Sequence, residues 1–389
     1  MTLTRTTRRA TALGAADART VDDLVALAAA GLPSAYRPGT REFAQTVRAV
    51  RGRDGVDVRP EGTNLRYAAI AALGLARTDL DTQRAALSGI TADELTTTVT
   101  ERAVGHRDLG SVALAAWASA EVRGVVAADL LSDLVGRLAG DPVPTVDASW
   151  ALTAAVGSLA LDPASSDAAR VRDAARERLL AAQGPQGIFP HTLPAASLGR
   201  WRAHVGCFAD QVYPIQALAR LAAATGDREA LAAAELCAGR IVALQGPAGQ
   251  WWWHYDRRNG KVVEGFPVYS VHQHAMGPMA LFDLADAGGT DHTAAVVSGL
   301  HWLDAHPEVL EDLVSTRHNL VWRKVGRREP RKAARQVAAV TTSLVPGVRV
   351  PGLDTVLPPV VVDHECRPYE LGWLLYAWLA RPDTKEGQP

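Results

Sequence analysis

Two stretches, ARERLLAAQGPQGIFPH (Ala175–His191) and CAGRIVALQGPAGQWWW (Cys237–Trp253), can be laid over each other without a gap. Gln183 then matches Gln245, Gly187 matches Gly249 and Phe189 matches Trp251, each pair 62 residues apart. In both copies a charge-faced run ends in Gln, a short Gly/Pro turn and a large aromatic. That period holds one surface helix, one buried helix and their loops, the signature of a helical repeat. In such a turn Gln can bond free backbone groups at helix ends, Gly permits a left-handed conformation, and the aromatic plugs into the next pair. These six residues therefore read as structural staples rather than site residues.

Outward from the repeat, the other periodic stretches also read as helix. LRYAAIAALGLA, SVALAAWASAEV, DASWALTAAVGSLAL and REALAAAELCAGRIVAL carry apolar residues at i, i+3, i+4 and i+7. Alanine is abundant, which favours helix and close helix approach. Val360–Val362 is short and lies beside prolines, so the class is all-α. Six of the helical runs are nearly all apolar: 64–76, 111–120, 147–161, 207–223, 269–285 and 368–379. Four others, 125–138, 168–182, 228–244 and 292–303, are amphipathic. An all-round apolar helix must be surrounded, whereas an amphipathic one can face water. Buried helices alternating with surface helices predict an (α/α)6 toroid, a double ring forming a single domain over residues 21–381. Residues 1–20 and 382–389 read as flexible tails, and 305–366 as a long insertion where a lid would sit.

The Q-x3-G-x-(W/F) pattern resembles the QW repeat of squalene–hopene cyclases, other class II terpenoid cyclases and protein prenyltransferase β-subunits. That resemblance rests on two copies in the middle third of the chain and implies an α/α toroid. It also implies an isoprenoid substrate, with tryptophans stabilising carbocations by cation–π contact. The D-x-D-D acid motif of those cyclases is missing: the nearest matches are Asp79-Leu80-Asp81 and the Asp283/Asp286 pair. A lone carboxylic acid, Asp147, Asp210 or Asp256, would have to supply the proton.

Composition narrows the classes further. Lys and Arg number 41 against 42 Asp and Glu, a formal charge of −1 that argues against a nucleic-acid partner. The three cysteines are far apart and unpaired in pattern, which points to a reducing, cytoplasmic setting. No apolar run reaches the length of a membrane span. The row Asp363-His364-Glu365-Cys366 cannot be used in full by one metal ion, and no other metal motif stands out, so no cofactor is expected. Mg2+ would enter only with a diphosphate substrate.

A toroid gathers the N-termini of its inner helices at one mouth, and polar residues crowd those starts. Tyr67, Asp147, Asp210, Tyr213, Tyr269, His272, Gln273, Arg367, Tyr369, Glu370 and Trp373 all fall there. The densest segment, Trp251–Phe282, adds Trp252, His254, Asp256 and Glu264, and turns tightly at Asn259-Gly260. Helical spacing puts Tyr269, His272, Gln273 and Met276 on one face with His274 elsewhere. A Tyr–His couple suits proton transfer near neutral pH. The basic run Arg317–Gln336, which includes Arg323, is either a solvated face or an anion clamp at the mouth.

The expected catalytic set is therefore Asp256, Tyr269, His272, Glu264, Asp210 and Asp147. Trp252, His254, Tyr67, Tyr213, Gln273, Arg323, Arg367, Tyr369, Glu370 and Trp373 are expected to bind substrate. The leading expectation is an enzyme of terpenoid cyclase or prenyltransferase type acting on an isoprenoid. The alternative is a carbohydrate-active toroid (a glycosidase, a lyase or a sugar epimerase), in which paired carboxylates would cleave a glycoside or a Tyr–His–Arg group would remove a proton next to a uronate. A non-catalytic binding scaffold comes third.

Overall fold

The computed structural model describes residues 8–52 and 55–380. Twelve of its helices alternate between an outer and an inner ring. The outer helices are α1 (Ala15–Gly31), α3 (Ala92–Ala103), α5 (Ala128–Ala139), α7 (Ser166–Ala182), α9 (Arg228–Ala243) and α11 (Thr293–Ala305). The inner ones are α2 (Leu65–Leu75), α4 (Leu109–Ala118), α6 (Thr145–Leu161), α8 (Ala209–Thr225), α10 (Gly277–Asp286) and α12 (Pro368–Trp378). Each inner helix packs on the next, and α12 returns to α2, so the ring closes as an (α/α)6 toroid. Closure depends on two glycines. A Cβ on Gly74 would lie 2.2 Å from the carbonyl oxygen of Gly372, so the helices meet backbone to backbone.

The repeat behaves as its residue types dictate. The Gln183 amide donates to Gly187 O (3.0 Å) and Ala233 O (2.8 Å), and Gln245 donates to Gly249 O and Ala295 O (both 2.9 Å). Gly187 and Gly249 have φ of +84° and +93°, with backbone of the next outer helix pressed against them. Phe189 and Trp251 are fully buried. The same offset continues beyond the sequence motif. Gln211 accepts from Phe189 N and donates to Cys207 O, while Gln273 accepts from Trp251 N and donates to Tyr269 O.

Two outer helices escaped the sequence reading. Helix α3 carries a Thr-rich polar face, yet its start has a full capping box between Thr91 and Glu94. Over residues 8–20 of the expected loose tail, a helix at Arg8–Thr11 and the start of α1 stand instead, because α1 covers α12 and Arg9 reaches Asp283. Residues 1–7 and the expected tail at 382–389 lie outside the described residues. The fifth inner helix also differs: Val268–Tyr269 is a strand, and a π-turn at His272–Met276 precedes α10.

Short strands lead into the inner helices and build the mouth. Val205–Cys207, His254–Asp256 and Val262–Glu264 form one antiparallel sheet, turned at Gly260 (φ +68°). Val268–Tyr269, Lys324–Gly326 and Val361–Asp363 form another, so the 305–366 segment folds into the wall of the mouth.

The opposite end is plugged by ion pairs. Asp283 accepts from Arg220 (2.7 Å), Gln216 (2.9 Å) and Arg9 (2.7 Å). Glu121 accepts from Arg77 (2.9 Å), Arg220 (3.2 Å), Tyr376 (2.7 Å) and Trp117 (2.5 Å). Burial opposes ionisation of Glu121, but Arg220 and Arg77 outweigh it and hold the carboxyl down at about 2. The same balance keeps Asp283 well below the usual carboxylate range.

Candidate functional site

The N-terminal ends of five inner elements surround a cavity of about 370 Å3. Its wall carries Asn64, Arg66, Tyr67 and Ile70 from the α2 end, Val146 and Trp150 from α6, and Ala209 and Tyr213 from α8. His272 and Met276 come from the π-turn, Arg367 and Tyr369 from the α12 end, and Trp253, Tyr269 and Arg323 from the strands of the mouth and the loops beside them. Helix N-termini leave unpaired N–H groups and a partial positive charge, which makes this end favourable to anions.

His272 is locked by ring packing rather than by a hydrogen bond. Its imidazole lies 4.4 Å from the Phe208 ring and 5.8 Å from Trp253, nearly parallel to the latter at 13°. Nδ1 is buried without a partner. Burial, with help from His274 and Arg323, pushes its pKa well below the ordinary histidine value, so the ring is a neutral base at pH 7. Tyr269 sits 5.0 Å from it, ring to ring, beneath the Arg323 guanidinium at 5.2 Å. Burial raises the Tyr269 pKa against the opposing pull of Arg323, so its phenol stays protonated. The Tyr67 hydroxyl accepts from Arg367 (3.1 Å) and Gln45 (3.2 Å), which leaves its own proton to donate.

Carboxylates stand one layer behind the wall. Asp147 and Asp108 share Arg66: its guanidinium reaches Asp147 at 3.0 Å and Asp108 Oδ2 at 2.6 Å. Burial raises Asp147 to about 6 despite Arg66, with Asp108 adding to the rise. Burial also opposes ionisation of Asp108, but hydrogen bonds from Arg66 and Ser111 win and hold it at about 2. Asp108 is also the N-cap of α4, accepting from Ser111 N, whereas Asp147 lies within the first turn of α6 without being its N-cap and is aimed at Gly110 in the first turn of α4. Glu370 is fully buried, and neither of its oxygens has a partner. Burial lifts its pKa to about 8, although Arg323 and Arg367 pull the other way.

Of the residues expected from the sequence, Tyr67, Tyr213, Tyr269, His272, Arg323, Arg367 and Tyr369 come together around the cavity. Trp373 is buried behind it against Trp117 and Tyr213. Others go elsewhere. Gln273 belongs to the repeat staple described above, because its amide is used up by Trp251 N and Tyr269 O. Asp256 is consumed by Arg258 (2.7 Å) and by the turn at Arg258 N. Glu264 pairs with Arg327 (3.1 Å) and caps Phe266 N, and Trp252 stacks edge-on with Phe266 at a separate surface pocket. Sequence reasoning left out Arg66, Trp150 and Trp253 as site residues. Their signal was position: each lies at the start of an inner helix or in the run Trp251–Trp253.

A second cavity of about 570 Å3 shares Trp253 with the first. It is lined by His191, Trp201, Arg202, Cys207, His254, Lys332 and Arg335, among others. Asp210 does not line either cavity. It accepts from Cys207 N (2.6 Å) and lies 2.9 Å from His191 Nδ1, and this charge raises the pKa of His191. His191, Cys207 and Asp210 bring three metal-ligating atoms within 4.8 Å. The Asp210 carboxylate is already engaged and cations line the neighbouring cavity, so the trio reads as an Asp–His pair in which Asp210 favours the charged form of His191.

No protein-family model and no curated protein sequence matches the chain. Solved structures do. An unsaturated glucuronyl hydrolase described as specific for heparin superposes with a TM-score of 0.55 at 12% identity, covering 92% of this chain and 95% of that one. A variant of the unsaturated glucuronyl hydrolase from Streptococcus agalactiae gives 0.55 at 10% identity, covering 97% and 96%. A protein of Salmonella enterica serovar Paratyphi A, described as a possible GH105 family member, gives 0.54 at 8%, covering 92% of each chain. At these identities the likeness shows the toroid fold over nearly the whole chain.

The same comparisons overturn the isoprenoid expectation. The three solved toroids above are described as glucuronyl hydrolases or a possible GH105 member, and none is described as a cyclase or prenyltransferase. The cavity wall mixes guanidinium, phenol and imidazole groups with Ile70, Val146, Met276 and two tryptophans, and among the described residues no carboxylic acid lines it. The QW-like turn specifies how helix pairs lock together, and that requirement is common to toroids of different chemistry.

Proposed function

We propose that this protein is a carbohydrate-active enzyme that removes a proton from the carbon next to a uronate carboxylate, as polysaccharide lyases and uronate epimerases do. The observation that carries the proposal is the composition of the central wall. Three arginines, four tyrosines and one histidine line it, and no carboxylate does among the described residues. Arg323 and Arg367 are suited to neutralise the substrate carboxylate, which makes the neighbouring C–H more acidic. His272, neutral and fixed between aromatic rings, takes the C5 proton. Tyr269, held in its protonated form, returns a proton. In elimination that proton goes to the glycosidic oxygen as the C4–O bond breaks. In epimerisation it goes to the opposite face of C5. Trp150 and Trp253 offer apolar platforms for sugar faces.

The test is a panel of acidic polysaccharides, each paired with its carboxyl-reduced neutral form. Turnover of an acidic member only, with loss of at least about 10²-fold in His272→Gln and Tyr269→Phe, is the expected result. Turnover of the neutral forms at equal rate overturns the reading. A second reading has one observation behind it: Asp147 and Asp108 are driven to different pKa values beside Arg66, the pattern of an acid–base carboxylate pair. In that case the product is a saturated sugar, with loss of activity in Asp147→Asn and retention in His272→Gln.

A further inference from the structure

We infer that the second cavity is an anion subsite, so that the substrate is an oligosaccharide carrying a further acidic group beyond the unit in the central cavity. This rests on the uronate reading above. Trp253 lines both cavities, its ring 4.6 Å from that of Tyr269 and 5.1 Å from that of His254. In this proposal the saccharide chain runs from the central cavity past Trp253 into the second one.

The second cavity is built for negative charge. Arg202, Lys332 and Arg335 line it with His191, which Asp210 favours in its charged form, and no lining residue is a carboxylate. Among the described residues Arg202 and Lys332 have no carboxylate partner. Arg335 is paired with Glu329 through Nε at 3.4 Å, a contact without hydrogen-bond geometry. His254 supplies the independent observation. It is only 7% exposed, lies opposite Cys207 in the strand register, and its Nδ1 has no partner. A buried polar atom without a partner is costly unless a ligand satisfies it. The basic run Arg317–Gln336 thus contributes to both cavities: Arg323 to the first, Lys332 and Arg335 to the second. Six arginines and lysines line the two cavities of a protein whose net charge is −1.

The experiment compares three probes: a monomeric uronate methyl glycoside bearing a 4-O-methyl group as the C4 leaving group, a (1→4)-linked diuronate, and the same disaccharide with its second carboxyl reduced to the alcohol. Binding is measured by calorimetry and turnover by product analysis, for the wild type, Arg202→Ala/Arg335→Ala and Lys332→Ala. The expected result is a rise in Kd and KM of about tenfold or more for the diuronate in the double variant, with kcat kept. The monomer and the reduced disaccharide should be unaffected by the substitutions. Equal weakening of all three probes would overturn the subsite, because it would mark a general field effect. Turnover of the monomer with no advantage for the diuronate would overturn the subsite and leave the uronate reading intact. Diuronate binding that the double variant weakens, without any turnover, would do the reverse. A protein that binds none of the three overturns both.

Discussion

The two ends of the toroid hold buried charge in opposite ways. At the C-terminal end of the inner helices, Glu121 and Asp283 are saturated by arginines and other donors, and both are held strongly acidic. At the N-terminal end, Glu370 has no hydrogen-bond partner, Asp147 is lifted to about 6, and His272 keeps an orphan Nδ1. Folding alone would select the first arrangement. The second forgoes stability, which is what a site prepared for a ligand does.

The largest effect should come from breaking the plug. Asp283→Asn leaves Arg220 and Arg9 undercompensated inside the ring, and ~3–5 kcal/mol of unfolding stability should be lost in urea melts. A change near zero would mean the plug is only decorative packing. At the other end the sign reverses. The folded pKa of Glu370 lies above the ordinary carboxylate value, so its contribution is complete below that value and is lost as pH rises through about 8. Glu370→Gln should therefore match the wild type at pH 4 and exceed it at pH 9 by on the order of a few kcal/mol. A substitution that destabilises at both pH values would show that Glu370 is satisfied in a way its surroundings do not reveal.

Smaller effects sharpen the line between frame and site. Gln273→Leu strands Trp251 N and should cost ~1–2 kcal/mol with kinetic constants unchanged; altered kinetics would return Gln273 to the site. His272→Gln should change stability least, within about 1 kcal/mol, while abolishing most turnover. A large stability loss with full activity would make His272 part of the frame.

The fold was legible in the sequence because its causes are local. All-round apolar helices had to be enclosed, and the Gln183/Gln245 turns repeat at a spacing that fits one helix pair. Helix α3 was missed because its face is polar and only its capping box marks it. The site was legible in part. Tyr269 and His272 were found from their density and spacing near an inner helix start. Asp256, Glu264 and Gln273 looked equivalent, yet a salt bridge, a strand cap and a repeat staple occupy them. Arg327 lies 63 residues from Glu264, and although Arg258 and Trp251 stand in the same segment as Asp256 and Gln273, spacing does not report which side chains they meet. Arg66 and Trp253 were underrated for a related reason: their roles follow from which cavity they face, and periodicity does not report that. The chemistry of the substrate was not legible, because a turn that locks helix pairs is indifferent to what the cavity holds.

The most direct measurement is proton exchange at C5 of an acidic oligosaccharide incubated with the protein in D2O, followed by mass spectrometry and NMR. Deuterium at C5, or a C4–C5 double bond, in the wild type and neither in His272→Gln is the predicted result. Cleavage to a saturated product with C5 hydrogen retained would contradict it and move the chemistry to Asp147 and Asp108.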